Sequence, residues 1–279
     1  MSNEVATLLR LAERRLAEAG VPSPRYDAEA LLDHVLGTPD ARFLEPTVEP
    51  AAVAEYHRQV ERRADREPLQ HILGTAAFRR LLLRVGPGVF VPRPETELLV
   101  EWGLATLTGR PAPVVVDLCA GSGAIGLSVA AEHPGATVYL VESAPAALEW
   151  LRRNAAPYRS ATVLAGDATD PTVLSTVDGT ADLVLANPPY VPAGTPVPPE
   201  VARFDPPEAL WGGPDGLAVL RGIVIRAAAL AAPGGWLGVE HDELHAPAVA
   251  GLLAGRRLVG VATHPDLAGR PRFTVGRRR

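Results

Sequence analysis

The sequence predicts an α/β protein, a doubly wound and mostly parallel sheet that follows a small helical domain. Two patterns carry this. Apolar residues in positions 1–68 recur at helical spacing, whereas from Val114 onward short β-rich runs alternate with helical ones. The length of 279 residues suits two domains at ~150 residues each.

In the first part, Val5, Leu8, Leu9, Ala12, Leu16 and Ala19 form one helical stripe, and Gly20-Val21-Pro22 ends it. Ser23-Pro24 opens a second helix through Leu31, Leu32 and Val35, which Gly37 closes, and a third covers 52–66. Residues 1–75 carry 9 Arg against 13 Asp and Glu. Such an acidic module is a poor phosphate clamp but a natural dock for a basic protein partner. Residues 78–91 read as two short strands around the turn Gly86-Pro87-Gly88, so 76–93 is expected to be a β-hairpin connector. Residues 94–279 then form the α/β domain. Its strand-like runs are 113–118, 136–142, 161–166, 181–187, 235–240, 257–263 and 271–276. Ligands of such sheets bind beyond the carboxyl ends of the strands.

Composition removes several chemistries. All 27 basic residues are Arg, so Schiff-base and P-loop lysines are excluded. Cys119 is the single cysteine, which rules out an internal disulfide and multi-thiolate zinc and fits a reducing cytoplasm. The first residues carry acids and arginines where a signal peptide has an apolar run. No run is long and apolar enough to span a membrane. A net charge of −5 argues against stable nucleic-acid binding.

Asp117-Leu118-Cys119-Ala120-Gly121-Ser122-Gly123 follows a strand and opens a helix. Its glycines let backbone approach a ligand, and the helix start offers free N–H groups. The next strand ends at Glu142, where a carboxylate can accept from two ribose hydroxyls. Together they point to a nucleoside ligand, with NAD and S-adenosylmethionine both open. Asp117, as an anion beside an α-amino group, leans toward the latter.

Asn187-Pro188-Pro189-Tyr190 ends another strand. Neither proline has an N–H, and Asn187 before a proline is extended. The result is a stiff corner whose acceptors, the Asn187 side-chain oxygen and the Pro188 carbonyl, can aim at one planar –NH2 group. Tyr190 adds a flat face. Catalysis would rest on holding a weakly nucleophilic amide nitrogen in line with a sulfonium methyl.

These motifs, with Phe90-Val91-Pro92-Arg93-Pro94-Glu95-Thr96-Glu97, PLQHILGTAAF at 68–78 and EALWGGPDGL at 208–217, resemble the HemK/PrmC family of protein-(glutamine-N5) methyltransferases. The resemblance spans nearly the whole chain. It implies a seven-stranded class I S-adenosylmethionine-dependent fold and a helical substrate-docking domain. The implied acceptor is the Gly-Gly-Gln glutamine of a class 1 peptide-chain release factor, in the cytoplasm. By it, Asp117 and Cys119, Ala120, Gly121, Ser122 and Gly123 surround the cofactor's methionine part, Glu142 its ribose, and Asp167 and Ala168 its adenine. Asn187, Pro188, Pro189 and Tyr190 are the catalytic corner, and Phe90, Arg93, Glu95 and Thr96 wall the substrate. The chain departs from the family at several positions. Cys119-Ala120 stand for Gly-Thr, Glu142 for Asp, and Ala168 for an aromatic residue. Asp242 and His245 stand for Gly and Gln. The pattern is that of a related paralogue branch.

His241 and His245 at i, i+4 read as surface histidines rather than metal ligands, since Asp242 and Pro247 spoil a zinc helix. Cys119 reads as a space-filler, and Trp211 and Trp236 as packing. The six-proline stretch 191–207 is either a lid that orders on partner binding or a static loop. Two other functions stay open at this point: a methyltransferase acting on an adenine-N6-type amine of nucleic acid, and a nucleoside-binding module without catalysis.

Overall fold

A computed structural model describes residues 3–37, 40, 43 and 47–279. The chain forms two compact units, Met1–Thr75 with Val197–Phe204, and Ala76–Pro196 with Asp205–Arg279. Among the described residues no helix is long and apolar enough to cross a membrane.

In the first unit, α1 (Asn3–Glu18), α2 (Pro24–Leu36), α3 (Pro50–Ala64) and α4 (Leu69–Leu73) follow the apolar period of the sequence. Val5, Leu9 and Leu16 of α1 pack with Leu31 and Leu32 of α2, Tyr56 and Val60 of α3 and Ile72 of α4. Gly37 ends α2 at φ 85° and returns its N–H to Asp33 and His34 carbonyls, a left-handed cap that glycine adopts without strain. One charge sits beside this core. The Arg63 side chain, 6% exposed, holds Asp27 at 2.7 Å and Glu200 at 2.9 Å. Glu200 also binds Arg66 at 2.5 Å, and Arg203 binds Asp65 at 2.9 Å. These pairs hold the segment Val197–Phe204, far along the chain, in the helical unit. No period in the sequence announces that return, so the sequential division at 75 omits it.

In the second unit, β1 (Thr75–Phe78) and β2 (Leu81–Arg84) form a two-stranded sheet. The turn therefore lies at Arg79-Arg80, not at Gly86-Pro87-Gly88. Arg79 tolerates φ 50° because its N–H and side chain are held, the first by Glu97 at 2.9 Å and the second by Glu132 at 2.6 Å. Gly86 and Gly88 serve a different purpose. They let the chain lie against Trp150 and Ala146, whose atoms stand 2.6 Å from where a Cβ would be.

The main elements follow as α5 (Thr96–Thr106), β3 (Val114–Leu118), α6 (Ala124–Glu132), β4 (Thr137–Glu142), α7 (Pro145–Ala155), β5 (Ala161–Ala165), β6 (Ala181–Ala186), α8 (Pro199–Phe204, in the first unit), α9 (Pro207–Leu210), α10 (Ala218–Leu230), β7 (Ala231–Glu240), α11 (Ala246–Ala254), β8 (Leu258–Pro265) and β9 (Pro271–Arg278). The seven-stranded sheet runs β5-β4-β3-β6-β7-β9-β8, with β9 antiparallel to both neighbours and the rest parallel. Its central strands are continuous Val/Leu/Ala runs because both faces are covered. Val115, Leu140, Leu183 and Leu185 face a layer with Leu99 and Leu127, whereas Val116, Val141, Val184 and Ala186 face Leu220, Ile223 and Val249.

Pairing register positions the site. Leu118 of β3 pairs with Val141 of β4 and with Ala186 of β6, and Glu142 pairs with Ala165 of β5. Four strands thus end level, and the chain leaving each one starts from the same edge.

Arg63→Ala would strand Asp27 beside an apolar core and leave Glu200 to Arg66 alone. Chemical denaturation should show a loss of about 3–5 kcal/mol. A loss under ~1 kcal/mol would mean the ion cluster does not hold this unit together.

Candidate active site

Beyond those level strand ends lies a cavity of about 350 Å³, within the size range of small-molecule sites. Cys119, Ala120, Gly121 and Ser122 line it after β3, Glu142, Ser143 and Ala144 after β4, Asp167 and Ala168 after β5, and Asn187 to Val191 after β6. Phe90, Arg93 and Thr96 close one side, and Glu208, Ala209 and Leu210 another.

The three glycines after β3 do different things. Gly121, at φ +55°, has no atom within 4 Å of where a Cβ would stand and opens on the cavity. Gly123, at φ +92°, lies under Leu127, 2.6 Å from the site of a Cβ, and Gly126 presses on Leu140 at 2.8 Å. Those two are packing glycines, so Gly123 does not line the cavity. Cys119 adopts φ 65°, where a side chain costs roughly 1–2 kcal/mol and glycine fits freely. Burial pushes its thiol well above the usual range, and the charges of Glu142, Asp117 and Asp167 add to it.

Two carboxylates shape this turn. Glu142 Oε1 accepts from the Ser143 and Ala144 N–H groups and Oε2 from Gly121 N–H, all at 2.8 Å. Three of its roughly four acceptor positions are filled, which fixes the carboxylate at the cavity wall. Asp117 points the other way. It is fully buried beneath the turn, and Oδ2 accepts from Gly126 N–H at 2.8 Å. Its expected place beside a ligand amine is therefore corrected, since β3's alternation turns residue 117 into the helix layer rather than the cavity. Burial pushes it up to about 7, the Gly126 bond opposing and the Glu142 charge adding.

At the end of β6, Asn187 Nδ2 donates to Thr96 Oγ1 at 3.2 Å. The Tyr190 hydroxyl donates to Glu240 at 3.3 Å, and burial raises its pKa above the ordinary tyrosine value. Val191 N–H donates to Leu210 O, and Gly212 N–H to Val191 O, both at 2.9 Å, so the corner is braced by the 210–213 backbone. The start of the proline-rich stretch is thereby anchored. Arg93 lies over the Phe90 ring at 4.8 Å and binds Asp205 at 2.7 Å. Glu95 does not line the cavity. It lies 4.0 Å from Arg270 on the outside of the α5 start.

His241 and His245 are buried, not on the surface as expected. His241 Nε2 meets Thr274 Oγ1 at 2.7 Å and Nδ1 meets the Asp242 carbonyl at 2.8 Å. Among the described residues no group of three or more His, Cys, Asp or Glu is placed to hold a metal. Trp236 packs edge-on against Trp102, with ring centroids 5.6 Å apart. Sequence reasoning passed over Glu240 and Arg272, which no motif marks. They reach the back of the corner through strand pairing alone.

A sheet of this order, with ligand-facing turns after β3, β4 and β6, is the class I S-adenosylmethionine-dependent methyltransferase fold. The solved catalytic domain of hMettl16, in complex with MAT2A 3′UTR hairpin 6, shares it at a TM-score of 0.56 and 13% identity, over 70% of this chain and 74% of that one. The PrmC N-terminal domain model matches residues 7–74 and the Methyltransferase small domain model residues 87–201. The release factor glutamine methyltransferase of Mycolicibacterium smegmatis is 49% identical over 98% of this chain and 97% of its own. The one from Streptomyces coelicolor is 44% identical over 96% and 95%, and that of Deinococcus radiodurans 39% over 99% and 99%. On these matches the chain belongs to the release factor glutamine methyltransferase family.

Gly121→Ala places a methyl into open space, so it should fold at a cost of roughly 1–2 kcal/mol for the left-handed backbone. Calorimetry with S-adenosylmethionine should nonetheless show affinity reduced at least ~10-fold; unchanged affinity would remove this turn from the cofactor site. Because Asp117 binds its proton more tightly folded than unfolded, its contribution to stability declines as pH rises from about 4 to about 7. The melting temperature of Asp117→Asn should therefore vary less than wild type between pH 5 and pH 8. Parallel curves would show that Asp117 is not buried as described.

Proposed function

We propose that this protein transfers a methyl group from S-adenosylmethionine to the side-chain amide nitrogen of a glutamine, the one in the Gly-Gly-Gln loop of a class 1 peptide-chain release factor, in the cytoplasm. The observation that supports it most is that one cavity is lined both by the glycine turn with Glu142 and by the Asn187-Pro188-Pro189-Tyr190 corner.

The lining fits the cofactor's chemistry. Gly121 leaves room for a group to approach backbone, as a methionine moiety held by Cys119, Ala120, Gly121 and Ser122 requires. Glu142 keeps one acceptor position at the cavity wall for a ribose hydroxyl. Asp167 Oδ1 is taken by Thr169 N–H and hydroxyl at 2.8 and 2.7 Å, leaving Oδ2 for an adenine amino group beside Ala168. When bound, S-adenosylmethionine supplies a methyl group made electrophilic by its sulfonium.

The protein's own part is positional. With Nδ2 given to Thr96, Asn187 turns Oδ1 toward the substrate, and the Pro188 carbonyl stands next in the chain. Two acceptors engage both N–H bonds of a carboxamide nitrogen and hold it in one orientation. They also stabilise the positive charge that develops as the nitrogen reacts. The surplus proton can leave to water afterwards, so no strong base is required beforehand. Tyr190, tied down through its hydroxyl, presents a fixed ring beside the substrate.

Incubation with labelled S-adenosylmethionine and release factors carrying Gln or Ala in the loop should label the Gln form alone. Label on RNA or DNA instead would overturn the reading. Asn187→Ala should keep cofactor affinity within ~3-fold and lose at least ~100-fold in transfer, because it removes an interaction aimed at the reacting nitrogen. Transfer at the wild-type rate would take Asn187 out of the mechanism.

A further inference from the structure

Resting on the reading that the Pro188 carbonyl is one of two acceptors for the substrate amide, we propose that Gly212 and Gly216 are positioning residues for methyl transfer. Their bare backbone packs against the carbonyls of Pro189 and Tyr190 and so sets where the Pro188 carbonyl stands.

The corner cannot orient itself. Pro188 and Pro189 have no N–H to give to a neighbouring strand, and β6 stops at Ala186. Both rings lock φ, and Asn187 and Pro188, each preceding a proline, are confined to extended ψ. Residues 187–189 therefore move as one stiff piece. The next torsion, ψ of Pro189, cannot absorb a push on that piece, because it would swing Tyr190. That residue is pinned by its hydroxyl on Glu240 at 3.3 Å and by the hydrogen bonds of Val191. What orients the corner must come from another part of the chain.

Residues 210–216 supply it. Val191 N–H donates to Leu210 O and Gly212 N–H to Val191 O, which pairs Val191 with Trp211 in a parallel bridge. Ala193 N–H donates to Gly213 O at 2.9 Å. Within this frame two glycines leave no clearance. A Cβ on Gly212 would stand 2.7 Å from Pro189 O and 2.5 Å from Gly216 O. One on Gly216 would stand 2.4 Å from Tyr190 O and 2.5 Å from Cε1 of the buried His245 ring. Ordinary contact begins at 3.4 Å, so a side chain at either position must displace its neighbours. Gly216 also needs glycine for its φ of 71°, whereas Gly212 lies outside the left-handed region and is glycine for clearance alone.

The consequence is catalytic. A shift of about 1 Å in a group that positions the substrate can cost ~100-fold in rate. The glycine turn after β3 is not part of this contact, so the loss falls on transfer and spares the cofactor.

Gly212→Ala should lower kcat ~10–100-fold while the Kd for S-adenosylmethionine stays within ~3-fold. Gly235→Ala is the control. Its Cβ would press on Ala181 O at 2.5 Å, a backbone carbonyl at the opposite end of β6 from Asn187. It should lose stability as Gly212→Ala does and keep kcat within ~2-fold. Equal losses of kcat in the two variants would reduce Gly212 to a folding role and overturn the proposal. Independently of activity, the carbonyl carbons of Pro188 and Pro189, labelled with carbon-13, should shift by NMR in Gly212→Ala and stay in place in Gly235→Ala; unmoved signals in Gly212→Ala would overturn it as well. If Gly212→Ala does not fold, wild type carries the test. The amides of Val191, Ala193 and Gly212 should exchange within ~10-fold of those in β6, and exchange more than ~100-fold faster would show a corner that is not held. Should wild type methylate no glutamine, the functional reading fails, and the carbonyl signals still decide whether Gly212 sets the corner.

Discussion

Four parallel strands that stop at the same level make this site possible. Leu118 is paired with Val141 on one side and Ala186 on the other, and Glu142 with Ala165. The residue after each strand therefore emerges at one edge. Strand order diverges there, β4 and β5 lying on one flank of β3 and β6 and β7 on the other, so the helices that follow leave a crevice between them. A slip of one residue in any of these pairings would turn every side chain to the opposite helix layer and take a ligand-facing group out of the cavity.

Buried carboxylates do the work of alignment around that edge. Asp117 holds the start of α6 from below, and Glu240 backs the Asn187 corner from behind. Both are removed from solvent and both are raised to about 7 by burial. Neither touches the cavity. Their value lies in the geometry they impose on groups that do: a glycine turn open at Gly121, and a Tyr190 ring held in place.

Much of this was legible in the sequence, and the reasons are specific. The stripes of α1 to α3 follow the 3.6 period, and the sheet strands are Val-rich runs between Gly and Pro breaks. The strand-end motifs could be placed because each sits directly after such a run. What escaped was set by contacts distant in the chain. The hairpin turned at Arg79-Arg80 because Glu97 and Glu132 hold Arg79, which local Gly/Pro counting cannot see. His241 and His245 are covered by packing that their spacing does not report. The segment Val197–Phe204 joins the helical unit through Glu200, more than 130 residues from Arg63 and Arg66. Helical and strand periods encode faces, whereas ion pairs and hydrogen-bond chains between elements leave no period to read.

The direct measurement of the central claim is a crystal structure with S-adenosylhomocysteine and a glutamine-bearing release-factor loop bound. The account predicts the glutamine amide nitrogen at roughly 2.7–3.2 Å from both Asn187 Oδ1 and the Pro188 carbonyl, facing the sulfur. A glutamine seated elsewhere, or an Asn187 oxygen turned to Thr96 with the corner facing away from the sulfur, would contradict it.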